Sequence, residues 1–205
     1  GVTVSATPKK PDLKPADATT GSDGQFSITG LHPDDYTLTL TLPDGYIFSG
    51  DLKASGIALA TAATDTVACP WAALTNREQN AIGAVKPATI RASVWLDENR
   101  DGQHTSEERL LSGLNYELYD ETSGKVVKSA KSDDDGYVTF SDVRPATYTV
   151  RFAIPEQAQP AGDENSTFEA QGAMMSHSGI VIAEGQTFED ISGGLVSYTS
   201  IGGVV

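Results

Sequence analysis

The chain has 205 residues, 39% hydrophobic and 20% charged, a composition that fits soluble globular domains and gives each half enough apolar residues for a core of its own. Its formal net charge of −14, from 28 acidic against 14 basic residues, argues against nucleic acid and anionic membrane as partners, since both need a basic face, and suits a protein that collects divalent cations. No run approaches the roughly 20 apolar residues of a membrane span, and one cysteine, Cys69, cannot build a disulfide framework.

In chain order, Asp23-Gly24 is the first turn signal and predicts a hairpin between strands, with Phe26 and Ile28 starting the strand after it. Leu31-x-Pro33-x-x-Tyr36 follows, a pattern that resembles a tyrosine corner, in which a tyrosine hydroxyl ties a strand to the neighbouring turn; plain core packing is the alternative. Tyr36, Leu38, Leu40 and Leu42 then alternate with Thr37, Thr39 and Thr41, so the apolar set faces a core and the threonines face out. Residues 54–88 are less regular, and Trp71 to Asn80 is expected as a short helix or turn.

Ile90, Ala92, Val94 and Leu96 alternate with Arg91, Ser93 and Trp95, which is strand spacing. Directly after them, residues 97–108 place Asp97, Asn99, Asp101 and Glu108 at the first, third, fifth and twelfth positions and Gly102 at the sixth. That is the ligand order of a calcium loop. A hard Ca²⁺ ion needs six to eight oxygens in one small sphere: Asp97, Asn99 and Asp101 would converge through a turn that Gly102 makes easily, Gln103 would give its backbone carbonyl, Thr105 would act through a water, and Glu108 would close the sphere with both carboxylate oxygens. The competing reading is a solvated acidic turn. An EF-hand would need an amphipathic helix before the loop, where this chain has strand alternation. Leu114 to Tyr119 again has period two, so the ion is expected to clip two strands of one sheet.

The second half repeats the first. Asp135-Gly136 matches Asp23-Gly24, Val138 and Phe140 match Phe26 and Ile28, Pro145 matches Pro33 and Tyr148 matches Tyr36, each 112 residues on. Tyr148, Val150, Phe152 and Ile154 renew the alternation. Asp133 to Asp135 read as a charged hairpin tip or a site for a further cation, residues 158–163 with Pro160 and Gly162 as a loop, and Ile180 to Ile182 as a strand. Gly1-Val2 matches Gly113-Leu114, and Ser200 to Val205 resembles Thr89 to Val94, so both ends fall beside a calcium-loop position. The expected division is a first repeat at 1–88 that lacks its opening strand and loop, a complete repeat at 89–198, and the opening strand of a following repeat at 199–205. Ile201 to Val205, of this chain or a neighbour, is expected to fill the edge left open in the first repeat.

With its calcium loop after Val94-Trp95-Leu96, the Gly113-Leu114 strand start, Asp-x-Asp-Gly-Tyr at 133–137 and Val-x-Pro-x-x-Tyr before Pro155, the second repeat resembles an SdrD B-like repeat, of the group that includes Cna protein B-type and prealbumin-like domains of bacterial surface proteins. The resemblance implies an all-β fold of tandem Greek-key, seven-stranded β-sandwiches. It also implies calcium ligands at Asp97, Asn99, Asp101, Gln103 and Glu108, and an array standing as a stalk on a Gram-positive cell surface. Related domains carry a Lys–Asn isopeptide bond instead. Here the acid position falls near Leu40 and Phe152, and the lysine strand offers Arg91, whose guanidinium is no nucleophile at neutral pH.

His32, His104 and His177 are scattered, and no nucleophile elbow, zinc-protease helix or phosphate loop occurs, so no catalysis is expected. Two functional readings remain. One is a calcium-stabilised structural spacer of a cell-surface adhesin, whose partners are neighbouring repeats. The other is a binding module that recognises a host protein or glycan through an exposed face or edge strand.

Overall fold

The structure, a computed structural model, describes residues 1–49, 64–69, 83–162 and 166–198. The short helix or turn expected at 71–80 and the opening strand of a following repeat expected at 199–205 lie outside the described residues. The chain divides into two compact units, Gly1–Lys86 and Pro87–Val205. Every regular element among the described residues is a β-strand.

In the first unit, β1 (Thr3–Pro8), β2 (Ala16–Thr19), β3 (Tyr36–Thr41) and β5 (Thr64–Cys69) form a sheet in the order β2-β1-β3-β5, and β4 (Ile47–Phe48) pairs with β6 (Ala84–Val85). The alternation read along β3 takes effect here: Leu40 and Leu42 join Val4 and Phe48 in a core, with Leu38 packed against it.

The second unit contains β7 (Ala88–Leu96), β8 (Asn115–Asp120), β9 (Lys125–Lys131), β10 (Tyr137–Val143), β11 (Ala146–Ala153), β12 (Ala158–Pro160), β13 (Glu169–Gln171), β14 (Met174–Ile182) and β15 (Thr187–Ser197). They make a sheet β10-β7-β15-β12 and a sheet β13-β14-β11-β8-β9. Ile90, Val94, Val138, Phe140 and Leu195 from the first sheet meet Tyr116, Leu118, Tyr148, Val150 and Phe152 from the second in one core, so the unit is a β-sandwich. Seven strands are long, and β12 and β13, three residues each, extend the two sheets at their edges. All pairings are antiparallel except that of β7 with β15, which is parallel from Thr89↔Thr187 to Leu96↔Leu195.

The repeat extends to topology. Moved by 112, β1, β2, β3 and β5 fall within β8, β9, β11 and β14, and the order β2-β1-β3-β5 reproduces β9-β8-β11-β14. Both tyrosine corners are present: the Tyr36 hydroxyl donates to the His32 carbonyl at 3.0 Å, and that of Tyr148 to the Arg144 carbonyl at 2.9 Å.

Three sequence expectations are corrected. The Asp135-Gly136 turn is no hairpin, because β9 and β10 lie in different sheets; it carries the chain across the sandwich edge, with Gly136 N–H donating to the Asp133 carbonyl at 3.0 Å. Phe26 and Ile28 lie outside any strand, and Phe26 is exposed. Their counterparts in β10 pair with β7, whereas residues 25–29 find no partner strand among the described residues. Finally, residues 158–160 are not loop but edge strand. Pro160 ends it opposite Leu195, and an edge tolerates a residue with no N–H to donate.

Candidate metal centre

β7 buries Ile90, Ala92 and Val94 in the core and delivers Asp97 to the rim of the sandwich. The base of the following loop is closed by backbone bonds. Asp97 N–H donates to the Leu195 carbonyl at 2.8 Å, Leu96 N–H to Arg109 at 3.0 Å and Leu111 N–H to Val94 at 2.8 Å, with an isolated bridge between Trp95 and Leu110. Because β7 and β8 belong to different sheets, the loop joins the two layers rather than clipping two strands of one sheet.

Within the loop, Asp97 is 2% exposed and its carboxylate organises the turn. Oδ1 accepts from the N–H groups of Arg100 at 2.6 Å and Asp101 at 3.2 Å, and Oδ2 from Gly102 at 3.0 Å. Gly102 takes a φ of 72°, the left-handed conformation for which glycine was expected, and Arg100 takes 62°. Asn99 Oδ1 accepts from Asp101 N–H at 2.9 Å while its Nδ2 donates to Asp101 Oδ2 at 2.9 Å, and Asp101 Oδ1 accepts from Gln103 N–H at 2.8 Å. Glu108 folds back over the loop, its Oε2 accepting from Thr105 N–H at 2.9 Å.

These bonds bring Asp97, Asp101 and Glu108 together with carboxylate oxygens within 4.8 Å of one another, a group able to hold a metal ion. Asn99 and Gln103 stand beside them in the exposed arc of the loop. Glu108 is buried, and its Oε1 has no hydrogen-bond partner. A buried carboxylate oxygen without a donor, beside two further carboxylates, carries both a desolvation cost and like-charge repulsion that a cation would relieve. The donors are all oxygen, the chemistry of a hard cation.

Sequence spacing missed two contacts. His104, exposed in the loop, stacks on the buried Trp95 with ring centroids 5.0 Å apart and planes 30° apart. Trp95 lies outside the sandwich core cluster, and a Cβ added at Gly194 would stand 2.9 Å from its ring, so Gly194 makes room for the indole. Arg100 Nη2 donates to the Ser197 carbonyl at 3.3 Å across 97 positions of sequence, a separation that no local pattern encodes. At the positions where related domains form an isopeptide bond, Phe152 is buried against Tyr116 and Phe168, and the Arg91 guanidinium lies 3.7 Å over the Tyr137 ring.

Residues 88–189 match the model of the SdrD B-like domain. Serine-aspartate repeat-containing protein I of Staphylococcus saprophyticus is 33% identical over 95 residues, covering 45% of this chain and 5% of that protein. Serine-aspartate repeat-containing protein D of Staphylococcus aureus strain Newman is 28% identical over 151 residues, covering 74% of this chain and 11% of that protein. The chain thus spans a small fraction of the length of either relative. Among solved structures, the minor pilin of the Gram-positive pathogen Streptococcus agalactiae aligns over 100% of this chain and 86% of its own, at 12% identity and a TM-score of 0.38.

Proposed function

Residues 88–189 belong to the SdrD B-like domain family, and from that premise we propose that the chain is a calcium-stabilised structural repeat, a non-catalytic spacer in the stalk of a Gram-positive cell-surface adhesin. The observation that carries the calcium reading is the unpartnered Oε1 of Glu108, buried beside Asp97 and Asp101. Asp97, Asp101 and Glu108 would hold the ion by their carboxylates, Asn99 by its side-chain oxygen and Gln103 by its backbone carbonyl. A bound ion would join the end of β7 to the segment leading to β8, and so tie one layer of the sandwich to the other. Its partners in this role are the neighbouring repeats of the same array, outside the cell and on the wall.

The test is thermal unfolding in millimolar Ca²⁺ against a chelator at matched ionic strength. Calcium in tenfold excess over its dissociation constant adds about 1.4 kcal/mol by mass action. The expected result is a higher melting temperature with calcium, lost in Asp101→Ala and in Glu108→Gln. No shift in the parent chain at any calcium concentration would reduce the loop to an acidic turn.

A further inference from the structure

We propose that β9, the free edge of the five-stranded sheet, is a docking site for an extended acidic peptide that adds to the sheet as a further strand. The proposal goes beyond the spacer reading and does not depend on the metal centre.

β9 pairs with β8 on one side and, among the described residues, has no strand on the other. It carries Lys125, Lys128 and Lys131, none of which forms an ion pair among the described residues, in a chain whose acidic residues outnumber its basic ones by 28 to 14. Asp120 stands opposite Lys125 in the register, its Oδ1 accepting from the N–H groups of Thr122 and Ser123, while Glu117, opposite Ser129, is held by Arg151 at 2.8 Å. Between the lysines, Val126 and Val127 are 41% and 46% exposed, and Val127 sits at the register shift where the strand bulges.

The other edges of this unit are blunted. β12 and β13 have three residues each, β12 ends in Pro160 and β13 begins with Glu169, while β10 is broken by a register shift and by Asp142 at a φ of 52°. The counterpart of β9 in the first unit, β2, is a four-residue strand with Asp17 and no lysine. A lysine-bearing edge repels a second copy of itself, which guards against edge-to-edge aggregation. The same charge attracts an acidic strand, whose backbone would bond to the open edge while its apolar side chains cover the valines. Charge complementarity therefore selects the occupant.

The experiment is fluorescence anisotropy with the whole chain, with and without calcium, using a labelled short peptide of alternating glutamate and valine. A peptide of alternating lysine and valine is the control. Saturable binding of the acidic peptide alone is expected, weakened at least about tenfold in the Lys125→Glu/Lys128→Glu/Lys131→Glu variant, which should in turn take the basic peptide. N-methylation of the peptide amides on one edge, at unchanged charge, should abolish binding, while methylation of the other edge should not. Absence of binding, binding indifferent to the charge reversal, or indifference to both methylation patterns would overturn the proposal. So would concentration-dependent self-association of the chain through β9, detected by sedimentation and abolished by the same reversal.

Discussion

Tyr36 and Tyr148 stand 112 residues apart and make the same bond, each donating its hydroxyl to the carbonyl four residues earlier. Both side chains are buried, and the bond, itself part-buried, ties the start of β3 or β11 to the turn before it. Tyr148→Phe should therefore cost about 1 kcal/mol, and Tyr36→Phe a similar amount. Urea unfolding checks this: the midpoint should fall while the slope stays constant.

Tyr116 is the opposite case. Its hydroxyl is fully buried with no partner, and burial pushes its pKa well above the usual tyrosine range. Tyr116→Phe removes an unsatisfied polar group from the core and should be neutral or stabilising by up to about 1 kcal/mol at pH 7. The pH dependence follows in sign. A tyrosine with a raised folded-state pKa binds its proton more tightly folded than unfolded, so its contribution is intact below about pH 10 and declines as pH rises above that. Tyr148 shifts in the same direction, chiefly by burial. Alkaline unfolding curves should show a shallower decline in the Tyr116→Phe variant.

Gly24 and Gly136 occupy equivalent turns with φ of 75° and 82°. A Cβ at Gly24 meets nothing within 4 Å, whereas one at Gly136 runs into the Cβ and backbone of Leu110. Gly24→Ala should cost only the left-handed backbone term, about 1 kcal/mol. Gly136→Ala adds a collision with the segment closing the 97–108 loop and should lose about 3 kcal/mol or more. Thermal melts of the two variants side by side measure the difference.

His104 covers the Trp95 ring, so its removal lets water reach the indole. In a Trp71→Phe background, which leaves one tryptophan, His104→Ala should shift the emission to longer wavelength at a stability cost of about 1 kcal/mol or less. Calcium chelation should shift the parent chain in the same direction and the His104→Ala variant by less.

Much of this architecture was legible because its signals are local. Period-two alternation marked β3, β7 and β11, and oxygen-bearing residues spaced around Gly102 marked the loop whose carboxylates converge. What failed depended on distant partners. Asp135-Gly136 gives the same turn signal whether the next strand returns to its own sheet or crosses to the other one. Phe26 and Ile28 have strand spacing, but a strand needs a neighbour, and theirs is not among the described residues. Pro160 read as a loop residue because proline donates no N–H, a defect that an edge position makes harmless. The Trp95 environment was hidden because its neighbours, His104 in the loop and Gly194 in β15, are brought to it by the fold.

The parallel pairing of β7 with β15 sets how the second unit would respond to tension. β7 begins the unit and β15 ends its described part, and because they run side by side in the same direction, the chain enters at one pole and leaves at the other. A pull between residues 88 and 197 acts along the strands, so the hydrogen bonds of the pair are sheared together instead of being unzipped singly. The bonds from Asp97 N–H to Leu195 and from Arg100 to Ser197 lie at the pulled end of that pair, beside the loop. Mechanical strength thus resides in a different pair of strands from β8 and β9, and the lysine edge can be altered without loosening the seam that resists extension.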